Sequence, residues 1–257
     1  MINKDVFDAL MDKGIITNVG LKPTDFKDIN ELMDYGFATS VAAQDVYTSE
    51  MNKLDVSKVI EDFLADIAEG GKVILPCNLS LDAPVVINKD VIVDLNGYTI
   101  ESKQDVFEVS SGSLTINGNG LVHAATDNTC SYCAVWAYGD SIVTINGGTY
   151  MVGAPAGDYN DLIYAKDNAK ITINDGCFHK TGTVRANDNV SFMLNLKDNT
   201  NADIKVFGGK FELNDPSNVK TEPGGAYNFV AKGYESVQDG DWYVVREVKD
   251  IVVDDNE

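Results

Sequence analysis

The chain has 257 residues, with 40 Asp+Glu against 20 Lys+Arg and a formal net charge of −20. It has no basic stripe to neutralise phosphates, which argues against nucleic acid and anionic membranes as partners. Its longest apolar runs, such as VIVDL, fall far short of the roughly 20 residues that cross a bilayer, and four cysteines are too few for a disulfide scaffold of this length.

The N-terminal stretch MINKDVFDALMDKG carries acids every few residues and lacks the apolar centre of a signal peptide, so synthesis in a cytoplasm without standard secretion is expected. Residues 1–54 read as two short helices, in KDVFDALMDKG and TDFKDINELMDYGFAT, separated by IITNVGLKP. Two short helices bury little surface by themselves. The segment is therefore expected to pack either on the rest of its own chain or, as an anchor, on another subunit or a large assembly.

Residues 55–70 place Val56, Val59, Ile60, Phe63, Leu64 and Ile67 at helical spacing, and Gly70-Gly71 follows as a stop. That stripe predicts a helix capping whatever comes next.

From residue 71 onward one phrase recurs. With Ile145 of SIVTINGGTY as position zero, the pattern fits at Leu95, Ile116, Ile173 and Val206, at spacings of 21, 29, 28 and 33 residues. Position −2 is aliphatic in each copy: Val93, Leu114, Val143, Ile171 and Ile204. Position +5 is large and apolar: Ile100, Leu121, Tyr150, Phe178 and Phe211. Alternation with polar neighbours is the two-residue period of a half-buried strand. The Asn-Gly pairs between permit the positive φ of a sharp bend. A bend that keeps its place in every copy predicts a solenoid rather than a set of hairpins. Stacking would bring Asn96, Asn117, Asn146 and Asn174 into one hydrogen-bonded ladder at the corner. The strands YNFVA and WYVVREV are expected to close the last coil, leaving residues 249–257 as a loose acidic tail.

Residues 71–248 resemble the right-handed parallel β-helix, or pectin-lyase-like, superfamily. The likeness rests on the opening GGKVILPCNLSLDAPVVINKDVIVDLNGYTI, and on GGKFELNDPSNV with YNFVAKGYESVQDGDWYVV at the end. The resemblance implies a mainly β fold: a right-handed parallel β-helix (solenoid) with a small α-helical N-terminal segment and a capping helix. A helical anchor followed by a β-helical shaft is the layout of phage fibres and tailspikes. The expected protein is thus a non-enzymatic structural virion component of a tailed phage, a capsid-attached head fibre or decoration protein. Residues 1–54 would contact capsid or other virion proteins, the chain would form a homo-oligomer by analogy with phage trimers, and the projecting body would touch glycans. Two rivals stay open: a tailspike-like polysaccharide depolymerase with a site between subunits, and a bacterial surface adhesin.

The superfamily's lyases use an arginine base, but Arg185 and Arg246 lie outside the repeated register. Asp140, Asp167 and Asp198 precede position zero by similar offsets and are the candidate catalytic carboxylates. Gly-Asp and Asp-Asn are also ordinary turn residues. Thr115, Thr144 and Thr172 form an outward threonine column that fits ligand binding or plain strand propensity. Cys130 and Cys133 have half of a zinc-site spacing, which Cys177 and His179, or His123, would have to complete. No cofactor is expected.

Overall fold

The structure is a computed structural model that describes residues 7, 8, 11, 56–124, 132–153, 161–179, 192–222 and 224–248. The two N-terminal helices, Cys130, Arg185 and the acidic tail fall on or largely on residues outside that set. The chain divides into two compact units, Met1–Phe63 and Leu64–Glu257. In the first, Phe7, Asp8 and Met11 are helical and Phe7 is buried. The second is mainly β, built on parallel sheets. No described helix is long and apolar enough to cross a membrane.

The unit boundary falls inside helix α1 (Val56–Glu69). Phe63 and Ile67 of the anticipated stripe are buried, whereas Leu64 is exposed. The helix stops at Gly70, whose φ of 89° ends the helical path while its N–H still donates to Asp66 O at 3.1 Å. One residue later Gly71 N–H bonds Asp90 O at 2.8 Å, and the β region has begun.

The strands fall into layers. The first holds β1 (Gly71–Ile74), β2 (Leu79–Leu81) and β3 (Val85–Ile87). The second holds β4 (Val91–Asp94), β5 (Thr99–Ser102) and β6 (Phe107–Val109). The third holds β7 (Ser113–Asn117), β8 (Leu121–Ala124) and β9 (Val135–Ala137). In the fourth, β10 (Ile142–Val152) spans the first two strand positions and β11 (Ile163–Ala165) takes the third. The fifth repeats this with β12 (Lys170–Phe178) and β13 (Leu194–Leu196). A sixth has β14 (Asp203–Val206) and β15 (Gly209–Glu212). Each strand pairs in parallel with its counterpart in the next layer.

This register puts Val73, Val93, Ile116, Ile145, Ile173 and Val206 in one inward column, all buried. The last four sit where the repeat placed them. The first copy is corrected by two residues: Val93, not Leu95, opposes Ile116. The outward neighbour of that copy is therefore Ile92 rather than Asp94. The second inward column runs Leu79, Ile100, Val122, Tyr150, Phe178 and Phe211. Here Val122 replaces the expected Leu121. Both shifts have one cause, the length of the corner. It takes seven residues from Val93 to Ile100, six from Ile116 to Val122, and five from Ile145 to Tyr150, Ile173 to Phe178 and Val206 to Phe211. In the fourth and fifth layers, with five-residue corners, the two strands merge into the continuous β10 and β12; in the sixth, β14 and β15 stay separate.

The third column, β3-β6-β9-β11-β13, faces the core with Val85, Phe107, Val135, Ile163 and Leu194. Each such buried aliphatic or aromatic residue stabilises the fold by roughly 1.5–3 kcal/mol. Toward the far end the core becomes aromatic. Tyr150 and Phe178 stack at 5.0 Å, and Phe178 and Phe211 at 4.7 Å, with nearly parallel rings. Tyr150 tolerates full burial because its hydroxyl donates to Gly147 O at 2.9 Å.

Four further strands follow: β16 (Val219–Lys220) with β17 (Ala226–Tyr227), then β18 (Tyr234–Asp239) and β19 (Trp242–Glu247). Val230 makes a parallel bridge to Val206, and the β18–β19 hairpin joins β15 in antiparallel sense. A change of direction ends the parallel run and covers the edge of β15.

Candidate functional site

Three of the four corner asparagines expected to stack, Asn117, Asn146 and Asn174, form a ladder. Asn146 Nδ2 donates to Asn117 Oδ1 at 2.8 Å, and Asn174 Nδ2 to Asn146 Oδ1 at 2.7 Å. Asn96 stands outside it. The two-residue shift puts Asp94 opposite Asn117, while Asn96 turns with a φ of 52° and donates to Leu75 O at 3.3 Å.

The candidate carboxylates Asp140 and Asp167 are each engaged in hydrogen bonds at turns. Asp140 Oδ1 accepts from Asn168 Nδ2 at 2.7 Å, and Asn168 Oδ1 accepts from Asn201 Nδ2 at 3.0 Å, so Asp140 is the end of a second corner ladder. Asp167 has a φ of 59° and takes the N–H of Gly139 at 3.0 Å. Asp198 is exposed in the same turn. The chemistry here is that of turns.

A third ladder leads into the third column. Asp105 Oδ1 accepts the N–H of Cys133 at 2.5 Å, and Asp161 Oδ1 accepts that of Phe192 at 3.1 Å. Cys133 is thus a buried link in a column of side chains, its thiol held protonated by burial and by Asp105 and Asp161 beside it. No group of three or more His, Cys, Asp or Glu suited to a metal occurs among the described residues.

Cys177 and His179 do meet. Sγ of Cys177 lies 3.2 Å from Nε2 of His179, and the other ring nitrogen lies 2.8 Å from Glu212 Oε2. Two layers away His123 makes the same kind of contact with Glu101, also 2.8 Å. Glu212 was missed in sequence because it stands 33 residues from its partner.

The outward face of the third column gathers the other concentration of chemistry. Val86, Glu108, Trp136, Tyr164 and Asn195 lie in register across it. Trp136 and Tyr138 project side by side, ring centroids 4.8 Å apart, and Lys166 Nζ sits 4.7 Å over the first ring and 5.1 Å over the second. Desolvation raises the proton affinity of Glu108, and Lys166 opposes it. At the end of the strip Tyr164 donates to Glu222 Oε2 at 3.0 Å, and Lys197 pairs with the same carboxylate. Glu222 N–H in turn bonds Asn195 Oδ1 at 2.8 Å, closing a lid of backbone over β13. Aromatic rings beside two acids and two cations suit a ligand with both apolar ring faces and hydroxyls.

The signal for this face was a second repeated phrase, VWAYGD, IYAKDN and LNLKDN, which the Asn-Gly corner overshadowed.

The fold and its faces define a mainly β protein with parallel sheets and regular outward columns. Comparison with protein-family models, with the curated proteins and with the solved structures finds no match to this chain.

Proposed function

We propose that residues 71–248 form a right-handed parallel β-helix serving as the projecting body of a structural protein that recognises glycan. Its place would be the particle of a tailed phage, as a capsid-attached head fibre or decoration protein. Residues 1–54 would anchor it to capsid or other virion proteins, with α1 as the cap of the first coil and a trimer as the working assembly. Glycan recognition rests on one observation, the strip of Trp136, Tyr138, Lys166 and Tyr164 flanked by Glu108 and Glu222. Sugar rings present apolar C–H faces to aromatic planes while their hydroxyls pair with charged groups at the rim. At a net charge of −20 the chain repels polyanions at long range, so a neutral glycan is the fitting ligand.

Two measurements test this. On a glycan array the full chain binds a neutral saccharide, and Trp136→Ala abolishes the signal; equal binding by that variant refutes the assigned face. Peptide mass spectrometry of density-purified particles recovers the protein stoichiometrically, and a deletion of residues 1–54 loses incorporation. Absence from particles removes the virion reading. Release of reducing ends from the bound saccharide replaces the structural role with that of a depolymerase.

A further inference from the structure

Cys177 and His179 flank the buried Phe178 on β12, so both side chains leave the same outward face of the strand. Glu212 arrives from β15, one layer on. Its carboxylate only accepts hydrogen bonds, so in the neutral imidazole Nδ1 of His179 carries the proton and Nε2 presents its lone pair to the thiol 3.2 Å away. Trp242 meets the imidazole edge-on at 4.8 Å and restricts its plane. Thiol, base and orienting acid thus stand in line.

The thiol also has somewhere to act. It borders a groove of about 470 Å³ whose lining includes Gly120, Gly148, Gly176, Gly209 and Lys210. Its glycines are held to that residue type by the atoms packed beneath them. A Cβ at Gly120 would lie 2.5 Å from Tyr98 O, and one at Gly148 2.7 Å from Leu95, with a φ of 93° besides. Lys210 is the register partner of Cys177 and brings its cation alongside. Burial raises the proton affinity of Cys177 more than Lys210 lowers it, so the resting group is a thiol and needs a base. His123 supplies an internal contrast. It is paired to Glu101 in the same way, but Leu121 occupies the place corresponding to Cys177.

We propose that Cys177 is a nucleophile for small acyl esters or thioesters, with His179 as its general base and Glu212 as the positioning residue. The Sγ–H proton passes to Nε2 as sulfur bonds to the acyl carbon. The bond from that carbon to the leaving oxygen or sulfur breaks, and Nε2 returns the proton to the departing alkoxide or thiolate. The product is an S-acyl Cys177, open to water from the groove. The activity stands apart from glycan recognition and survives its failure.

The probe is p-nitrophenyl acetate on the full chain, with site occupancy read by peptide mass spectrometry and half-buried Cys77 as the internal reference. Cys177 is expected to acetylate about tenfold faster than Cys77 at neutral pH, with a pH dependence set by the imidazole rather than by thiol ionisation. His179→Gln lowers the rate roughly 10²-fold; Glu212→Gln lowers it less and moves the inflection. Equal rates at the two cysteines, or a wild-type profile that follows thiol ionisation alone, overturns the proposal without recourse to any variant.

Discussion

Asp105 accepts the backbone N–H of Cys133 from the next layer at 2.5 Å, at a site where the aspartate is 6% exposed. The contact holds one strand entry to the next, yet it also buries an acid. Desolvation pushes the Asp105 carboxyl up to about 6, overcoming the lowering effect of the Cys133 N–H. In the unfolded chain the same group titrates near ~3.9. The folded state therefore holds the proton more tightly, and stability falls as pH rises from about 4 to about 6. Two units correspond to roughly 2–3 kcal/mol lost by neutral pH. Asp105→Asn keeps an oxygen for the Cys133 N–H without the ionisation. It is expected to gain up to about 2 kcal/mol in urea unfolding at pH 7.5 and nothing at pH 4. No gain at pH 7.5 would show that the buried carboxylate is paired after all.

The aromatic stack carries the far half of the core. Phe178 lies between Tyr150 and Phe211 at 5.0 and 4.7 Å and is fully buried. Phe178→Ala leaves a cavity with rings on both sides and should cost about 3–5 kcal/mol. Tyr150→Phe strands the Gly147 carbonyl and should cost about 1 kcal/mol. Denaturant unfolding of the two variants separates packing from hydrogen bonding. A loss under ~1 kcal/mol for Phe178→Ala would mean the stack contributes little.

The two kinds of corner asparagine answer differently to glycine. Asn146 gives one side-chain hydrogen bond and receives another, so Asn146→Gly should lose about 1–2 kcal/mol. The Asn96 side chain makes a single long bond, and the residue sits at a φ of 52°, a conformation glycine adopts freely. Asn96→Gly is expected to be neutral within ~0.5 kcal/mol. Equal losses at both positions in thermal unfolding would contradict this division of the corner.

Sequence periodicity exposed the columns through Ile116, Ile145, Ile173 and Val206 because an inward aliphatic residue every second position leaves little choice of face. It misplaced Leu95 and Leu121 because corner length varies from seven residues to five: the first error, of two residues, kept the same face, and the second, of one, put Leu121 in place of its inward neighbour Val122. In-register partners are likewise invisible until the corner lengths are known. Glu212 and His179, or Asp105 and Cys133, become neighbours only when the layers stack. The Asn-Gly phrase marks the corner that turns the chain, whereas the candidate site residues lie on the strands between, where polar and aromatic side chains carry no fixed motif.

The aromatic strip offers a direct optical test, since Trp136 and Trp242 are the two tryptophans of the chain. Trp136 bears Lys166 at 4.7 Å over its ring, and Trp242 bears Lys210 at 4.9 Å, so both start in similar cation–π surroundings. A glycan that stacks on the third column displaces Lys166 and changes the emission of Trp136 alone. Trp242→Phe should keep the saccharide-induced change, and Trp136→Phe should lose it. Trp136→Ala should weaken binding at least ~10-fold, about 1.4 kcal/mol. Lys166→Ala should change affinity less, because it uncovers the ring it removes a cation from. A signal that follows Trp242 instead would move the ligand to the groove beside Lys210, where it would compete with acylation of Cys177.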